Sequence, residues 1–457
     1  MPNEAKKFIH GPNAWRIPDR IYFITPTGKF LFGLAETILD WMRKNIHDLT
    51  VDYELSDDFK KRLTKDTEEH EIKDDLAFHL RDYQKEAVKL ALHHQYGTFV
   101  MGTGAGKTLT IASIINNLYA LGKIKKTLIL VPDNGLVLQF EDELKNQYRL
   151  DKKISLFYDK HNKIDEEADI TIANRPLFLS RFKQNEKFFR ETIDCLIVDE
   201  AHSIKHSNKV SEAIKKMRAW YRFGFTGTLA EEKQDKMKNL GMLGPVRYQK
   251  TSKELRDAGF LSDVTIHSIR LNYLQTFAMD GYRDEIEFLQ LYEPRNMFLR
   301  DLAFKLPNNT LILVNFLAHG FALEEMFNQR NEKLPEGKKK QVYFIRGEVE
   351  NEVREEVKKI MESDSNVICI AITKIFSTGI NIKNIHHVVL AAGGKSSVTV
   401  VQSIGRGLRL HPNKKELRIW DISDNGYKYS TNHLKKRLEI YETEKIRVES
   451  HDFFLKH

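Results

Sequence analysis

The residues best suited to chemistry form one glycine-rich stretch: Met101, Gly102, Thr103, Gly104, Ala105, Gly106, Lys107 and Thr108. A short, largely apolar run at 98–100 precedes it, and apolar residues at helical spacing follow it, which predicts a strand, a turn and a helix. Glycines let the backbone approach an anion closely, and the N–H groups at a helix start attract negative charge. We therefore expect a nucleoside triphosphate site, where Lys107 contacts the β- and γ-phosphates and Thr108 binds Mg²⁺. Met101 replaces the first glycine of this motif.

Two carboxylates, Asp199 and Glu200, follow a second apolar run at 195–198. Because the carboxyl ends of parallel strands meet at one edge of a sheet, both should lie where the glycine-rich stretch opens. Asp199 is expected to hold Mg²⁺ through water, and Glu200 to orient and deprotonate the attacking water. A solvated acidic turn is the alternative for these two residues alone, and the glycine-rich stretch favours the catalytic interpretation.

A third group, Gln402, Arg406 and Arg409, lies near the end of the chain. Its spacing predicts two arginines on successive turns of one helix face. Such arginines suit contact with the γ-phosphate, where they stabilise transition-state charge and link hydrolysis to domain closure. Alone, the pattern also fits a basic surface helix; its combination with the two other motifs favours the catalytic role.

Composition indicates a water-soluble protein with an anionic partner. The chain has 457 residues, of which 41% are hydrophobic, and a formal net charge of +8. It has neither an apolar run of about 18 residues, as a membrane span needs, nor a signal peptide at its start, so we expect no membrane contact and a cytoplasmic location. Its two cysteines, Cys195 and Cys369, lie in apolar runs and are expected to be buried thiols.

The pattern of elements predicts three domains. Residues 1–75 form a small α+β domain, with two strands around a turn at 26–29, a helix from about 34 to 44 and a charged linker. Residues 76–250 and 251–457 each alternate apolar strands with helices, which is typical of a parallel α/β sheet, and the last domain ends in a helical tail. The predicted strands are 127–131, 154–158, 170–173, 195–199 and 223–226, then 311–316, 342–345, 367–373, 387–391 and 417–421.

Together these motifs resemble those of superfamily 2 helicases of the DEAH/DExH kind. The resemblance implies an α/β fold of two tandem RecA-like parallel-sheet lobes, preceded by the small domain, with ATP and Mg²⁺ bound between the lobes. It adds nucleotide contacts from Arg81, from Gln84 to the adenine, and from Gly379. It implies nucleic-acid contacts from Pro132, Gln139, Asn174, Arg175, Gly347, Arg354, Thr373, Ser377 and Thr378. Coupling residues would be His202, Thr226 and Thr228, with Gly227 where the family usually has alanine.

More narrowly, residues 376–380 and 384–390 resemble the UvsW-like phage helicases, which rewind and branch-migrate DNA. This implies a monomeric, ATP-driven helicase or translocase on single-stranded and branched duplex DNA, acting in phage replication, recombination or repair. An RNA-directed helicase stays open, as does a nucleotide-switched module that binds nucleic acid without moving along it. Glu200 argues against the module, because switching alone needs no water activator.

A strand-separating element is expected in the N-terminal hairpin. The interval between Thr378 and Gln402 holds one predicted strand and a short turn, so it has no room for a long pin. The hairpin instead places aromatic residues around Lys29, a mixture suited to stacking on an opened base pair beside a phosphate. These aromatics are Tyr22, Phe23, Phe30 and Phe32. At least half of them should belong to the small domain's own core.

Overall fold

The computed structural model describes residues 23–24, 29–45, 71–159, 161–205, 209–230, 232–346, 351–373, 384–391, 414, 416–443 and 445–455, with only the backbone at 351–355, 358 and 443. By their contacts the residues divide into two units, Met1–Thr251 and Ser252–His457. Each unit is built on its own sheet.

The described part of the first unit holds a seven-stranded sheet in the order β3-β4-β2-β5-β6-β1-β7. Its strands are β1 (Tyr96–Met101), β2 (Thr127–Val131), β3 (Ile154–Phe157), β4 (Ile170–Asn174), β5 (Cys195–Val198), β6 (Tyr221–Thr226) and β7 (Val246–Lys250). All neighbours pair in parallel. Their carboxyl ends therefore share one edge, where the predicted motifs begin.

Helices accompany this sheet along the chain. They are α1 (Ala35–Asn45), α2 (Asp82–His94), α3 (Lys107–Ala120), α4 (Asn134–Asp142), α5 (Arg175–Arg181), α6 (Lys209–Lys216) and α7 (Lys233–Leu243). Shorter turns of helix are the 3₁₀ segments Phe32–Leu34 and Ala201–Ser203 and the π segments Glu143–Gln147 and Phe188–Thr192. Strands covered on both faces need apolar side chains throughout, which explains why β2 reads Thr-Leu-Ile-Leu-Val and is buried along its length.

The described part of the second unit repeats this plan, with the strand order β10-β11-β9-β12-β13-β8-β14 and parallel pairing throughout. Its strands are β8 (Asp263–Asn272), β9 (Thr310–Val314), β10 (Gln341–Ile345), β11 (Val367–Ile372), β12 (His387–Leu390), β13 (Glu416–Asp424) and β14 (Arg447–Phe454). Its helices are α8 (Ser252–Asp257), α9 (Tyr282–Leu291), α10 (Glu293–Lys305), α11 (Leu317–Glu332), α12 (Asn351–Ser363) and α13 (Lys428–Thr443), with a 3₁₀ turn at Glu336–Lys338. The predicted tandem α/β fold is confirmed.

The N-terminal segment belongs to the first unit, where it packs on α7 and on the β1–β7 edge of the sheet. Ile24 and Phe30 form an antiparallel bridge, which agrees with the predicted hairpin, and α1 occupies the predicted helix. A Cβ at Gly33 would lie 2.1 Å from the carbonyl oxygen of Leu240, so only glycine fits this contact. Most of the predicted charged linker lies outside the described residues.

Glu36 of α1 fixes that packing by a polar contact. Arg247 donates to its carboxylate from Nη2, at 2.6 Å, and from Nη1, at 2.8 Å, and the Tyr96 hydroxyl donates at 2.8 Å. Burial alone would raise the pKa of Glu36, but these donors lower it below its usual value. The N-terminal helix is thus attached to β1 and β7.

Three strands, β7, β8 and β14, were not predicted from the sequence. The glycine and proline content of residues 241–245 predicts a break, followed by a mixed segment to about 307, whereas β7, β8 and three helices fill most of residues 246–307. Both cysteines are buried free thiols, as predicted. Among the described helices, not one combines the length and apolar character that crossing a membrane requires.

Candidate active site

Three neighbouring strands of the first unit bring the predicted chemistry together. The glycine-rich stretch follows β1, Asp199 and Glu200 follow β5, and Thr226 ends β6. The register sets Val100 beside Thr226 and Val198 beside Gly224, so these strands end at nearly the same level. Parallel pairing alone therefore collects the motifs at one edge.

The glycine-rich turn has the backbone that its sequence requires. Gly104 and Gly106 have φ of 85° and 75°, a region open to glycine at little cost, and Gly106 directly precedes α3. Met101 is the last residue of β1, fully buried and without a positive φ. Since this position is ordinary strand, methionine replaces the usual first glycine without backbone strain.

Two side chains of α2 hold the glycine-rich turn in place by hydrogen bonds. The Tyr83 hydroxyl and the Gln84 amide each donate to the carbonyl of Ala105, at 3.0 Å, while the Gln84 oxygen accepts the Arg81 N–H at 2.9 Å. Gln84 therefore positions the turn. Its predicted contact with adenine, and that of Arg81, stay predictions. The role of Tyr83 was missed, since its acceptor is a backbone atom without a sequence signature.

Lys107 and Glu200 form the centre of the site. Lys107 Nζ lies 3.3 Å from Glu200 Oε1, and the other carboxylate oxygen lies 3.3 Å from His202 Nδ1. Burial alone would raise the pKa of Glu200, but the charge of Lys107, followed by the hydrogen bond and charge of His202, lowers it well below its usual value. Glu200 is thus an ionised carboxylate in a largely enclosed position, as a base that activates water must be.

His202 links this centre to the end of β6. Its Nδ1 lies 2.7 Å from the Thr226 hydroxyl, and that hydroxyl donates to the Thr228 carbonyl at 2.6 Å. A carbonyl can only accept, so the one hydroxyl hydrogen of Thr226 points to Thr228. The Thr226 oxygen must then accept a hydrogen bond from His202, whose Nδ1 therefore carries a hydrogen. The three predicted coupling residues therefore form one hydrogen-bonded chain, and Glu200 Oε2 lies 3.3 Å from its first atom, His202 Nδ1.

Arg175 fixes the acidic turn. Its guanidinium donates to the carbonyls of Asp199 and Glu200, the latter at 3.0 Å, and to the Ser203 hydroxyl at 2.5 Å. These contacts hold Glu200 at a φ of 48°, which is uncommon for a residue with a side chain. Burial lowers the pKa of Arg175 to about 10, so it remains cationic at neutral pH. Its predicted contact with nucleic acid stays a prediction.

Asp199 offers an anionic oxygen without a donor. The side chain is buried, and its Oδ1 has no hydrogen-bond partner among the described residues. Burial, and then the neighbouring charge of Glu200, raise the pKa of Asp199 to about 6. Such an oxygen suits a cation. Thr108, the other predicted magnesium ligand, lies half-buried in the first turn of α3.

The other predicted nucleic-acid residues of the first unit belong to the same sheet edge: Pro132 and Gln139 follow β2, and Asn174 is the last residue of β4. Pro132 is half-buried, and Gln139 donates to Glu143 at 2.7 Å. Asn174 is buried, caps α5 by accepting the N–H of Leu177 at 2.8 Å, and donates to Asn134. These contacts give Asn174 a structural role, and its binding of nucleic acid is untested.

In the second unit, Thr373 follows β11 and donates to the Val314 carbonyl at 3.1 Å. Arg354 belongs to α12, but its side chain is not described. The remaining predicted site residues lie outside the described residues: Gly347, Ser377, Thr378, Gly379, Gln402, Arg406 and Arg409. Their roles stay predictions.

Comparison with known proteins identifies the family. Residues 77–231 match the model of the "Type III restriction enzyme, res subunit" and residues 295–411 that of the "Helicase conserved C-terminal domain". The chain is 31% identical over 369 residues to the ATP-dependent DNA helicase uvsW of Enterobacteria phage T4, covering 78% of this chain and 70% of that protein.

Two further matches are partial. A DNA 3′–5′ translocase of Sulfurisphaera tokodaii is 31% identical over 178 residues, which are 38% of this chain and 37% of the relative. A fragment described as an HsdR subunit of a type I restriction enzyme from Vibrio vulnificus has the same fold, with a TM-score of 0.63 and 18% identity over 82% of this chain and 68% of that one. Together with the glycine-rich turn and the acidic turn beside it, the family matches and the phage relative show that the chain belongs to the superfamily 2 helicases, a family of nucleoside triphosphate hydrolases.

Proposed function

We propose that this protein is an ATP-dependent DNA helicase or translocase that acts on forked and branched DNA. The observation that carries the proposal is the chain of contacts from Lys107 through Glu200 and His202 to Thr226. It joins a phosphate-binding residue, a water-activating residue and the end of a third strand in one site. The family supplies the activity class, and the phage relative is named as a DNA helicase.

ATP would bind at the glycine-rich turn. The backbone N–H groups at the start of α3 face the phosphates in such turns, and Lys107 adds a positive charge. Gly106 cannot be enlarged, because a Cβ there would lie 2.4 Å from the Gln84 amide. Tyr83 and Gln84 keep the turn open toward the anion by holding the Ala105 carbonyl on the opposite side.

The residues present also fit Mg²⁺. Asp199 Oδ1 has no partner among the described residues, and Thr108 offers a hydroxyl, which are oxygen ligands of the kind that Mg²⁺ prefers. Bound with the triphosphate, the ion would neutralise part of the phosphate charge. Asp199 would hold it, and Arg175 would keep the Asp199 backbone in place.

Glu200 would activate the attacking water. Phosphate oxygens would compete with Glu200 for Lys107, so phosphate binding and release of the carboxylate from its ion pair are linked. Glu200 then accepts a proton from water while His202 orients its other oxygen. Because His202 also bonds Thr226, a change at Glu200 reaches the end of β6, and we propose that this contact couples hydrolysis to movement on DNA.

DNA is favoured over RNA by the relatives, which are named for DNA. The test is the steady-state ATPase rate in the presence of single-stranded DNA and RNA of the same sequence. We expect stronger stimulation by DNA. Equal or stronger stimulation by RNA would support the RNA-directed alternative. If DNA stimulates hydrolysis but the enzyme does not displace a second protein bound to the strand, the result would support the nucleotide-switched module that binds nucleic acid without moving along it.

Action on branched DNA is proposed to need the N-terminal hairpin. Phe30 and Ile24 are exposed on it, at 39% and 46%, beside the exposed Lys29, whereas Phe32 packs on Tyr96 with ring centres 4.7 Å apart. The Phe30 ring would stack on an opened base pair, and Ile24 would make an apolar contact beside it. Tyr22 lies outside the described residues.

Point substitutions test this better than deletion, because deletion of residues 1–75 would also remove the Glu36 contact to Arg247. Phe30→Ala should keep the DNA-stimulated ATPase and lower the unwinding rate of four-way junctions at least five-fold. Phe78→Ala, an exposed aromatic outside the hairpin, is the matched control. Unchanged junction unwinding by Phe30→Ala would exclude this residue as the separating element.

A further inference from the structure

A cluster of three metal-binding side chains lies in the second unit, in none of the predicted motifs. His267 belongs to β8, and Glu449 and His451 belong to β14. His267 Nδ1 lies 3.3 Å from His451 Nε2 and 3.4 Å from Glu449 Oε2. One ligand atom from each of the three side chains lies within 4.8 Å of the others.

Strand geometry explains why these residues meet. Glu449 and His451 are two positions apart on β14, so both side chains leave the same face of the sheet. The parallel register sets Glu449 directly opposite His267 on β8. The spacing Glu-x-His thus brings two ligands of one strand against a third on its neighbour.

Two of the three ligand distances match a tetrahedral metal site. Zinc binds imidazole nitrogen and carboxylate oxygen at about 2.0–2.2 Å, and at tetrahedral angles this sets neighbouring ligand atoms about 3.3–3.5 Å apart. Two of the three separations, 3.3 and 3.4 Å, both from His267 Nδ1, are close to this value, and the third is within 4.8 Å. A hydrogen bond explains them less well, since Nδ1 carries at most one hydrogen and cannot direct it at both neighbours.

Surrounding contacts orient the ligands. Arg447 binds the other oxygen of Glu449, Oε1, at 2.6 Å and leaves Oε2 facing His267. The His267 ring stacks on Trp420 with centres 4.3 Å apart and planes 16° from parallel. Such partners are typical of the outer shell of metal sites.

The local charge and exposure also allow a cation. The Glu449 carboxylate, 3.4 Å from His267 Nδ1, supplies a negative charge, and Arg418 lies on β13, the strand that neighbours β8 on its other side. Arg418 is itself paired with Glu416, at 3.0 Å. All three ligands are only partly buried, which leaves a route for the ion and space for a water as fourth ligand.

We propose that His267, Glu449 and His451 bind one divalent transition-metal ion of the zinc class, which fastens β14 to β8. In the described sheet β14 is the last strand, paired on one side only, so it depends on β8 for its position. The cluster shares no residue with the proposed ATP site, and we propose a structural role for it.

The test is isothermal titration calorimetry of the full chain, without a histidine tag, freed of metal with a chelator and titrated with Zn²⁺ alone. We expect one tight equivalent, and at least ten-fold weaker binding in His451→Ala and in Glu449→Gln. Two controls in the same unit, His386→Ala and Glu442→Gln, should bind as the parent does. Co²⁺ in place of Zn²⁺ should give the intense visible bands of a four-coordinate site.

A second measurement, the change of Tm on adding Zn²⁺, tests the proposal even where a variant folds poorly. Zn²⁺ should raise the Tm of the parent and of both controls, and should not raise the Tm of Glu449→Gln, which preserves the shape of the side chain. Absence of a tight equivalent in the parent, or equal binding and equal Tm shifts in the ligand variants and the parent, would overturn the proposal.

Discussion

Replacement of Arg175 by methionine separates two interpretations of this residue. Family resemblance predicts a contact with nucleic acid, whereas the structure shows a buried guanidinium that donates to Asp199, Glu200 and Ser203. Methionine approximates the length of the side chain but removes the charge and all donors. If Arg175 positions the acidic turn, the change should alter stability and turnover and leave nucleic-acid binding nearly unchanged.

The magnitude follows from the lost hydrogen bonds. Each hydrogen bond from a charged donor contributes about 1.5–3 kcal/mol to stability. Removal of the buried guanidinium also removes the cost of its desolvation, so we expect a net loss of about 2–4 kcal/mol in the free energy of unfolding. For a domain of this size, that corresponds to a fall in Tm of about 5–15 °C. The Glu200 backbone, held at a φ of 48°, should also relax. A shift of about 1 Å in a catalytic group can lower kcat about 100-fold.

The assay compares Tm, kcat at saturating DNA, and the salt dependence of DNA binding. Arg181→Met is the matched control, since Arg181 lies on the same helix but donates to Gln184 at the surface, at 2.9 Å. Its Tm should change by less than about 2 °C. A normal Tm and kcat for Arg175→Met, together with weaker binding and a smaller salt slope, would refute the positioning role and assign Arg175 to a phosphate contact.

The remaining predictions concern the same site. Lys107→Ala should abolish hydrolysis by weakening ATP binding, whereas Glu200→Gln should bind ATP without hydrolysing it; equal ATP affinity of the two variants, measured with a fluorescent analogue, would contradict these roles. Arg406→Ala or Arg409→Ala should lower kcat by several orders of magnitude and largely keep ATP affinity, and normal turnover with weaker DNA binding would move that arginine to the DNA path. Gly227→Ala should keep its ATPase within about two-fold, because the nearest neighbour of the added Cβ would be Thr103 Oγ1 at 3.7 Å, and a loss above about ten-fold would show that glycine itself is required.

Much of the fold could be predicted because both sheets are parallel and their central strands are buried on both faces. Strands such as β2 and β9, both Thr-Leu-Ile-Leu-Val, are apolar throughout and stand out from the helices. The missed strands lack this signal. β14 is polar and largely exposed, and β8 carries Asp263, His267 and Arg270 among its apolar residues. Their pairing depends on partners distant in the sequence, which periodicity alone does not reveal.

The residues of the candidate site likewise divide into those that could be predicted from the sequence and those that could not. Lys107 and Glu200 could be predicted because their chemistry needs particular side chains after particular strands, and the structure places them 3.3 Å apart. The roles of Tyr83, Gln84 and Arg175 in holding the turns could not be predicted, because their acceptors are backbone carbonyls, which every residue has. A sequence motif therefore indicates which residues are needed, but not whether they contact a ligand or one another.

The most direct test of the central claim is ATP-driven separation of forked DNA by the parent chain and by Glu200→Gln. The parent should separate the strands with ATP and fail with a non-hydrolysable analogue. Glu200→Gln should bind both ATP and the fork but separate no strands, because its amide cannot accept the proton of the attacking water. Strand separation by Glu200→Gln at the parent rate, or by the parent without hydrolysis, would contradict the account.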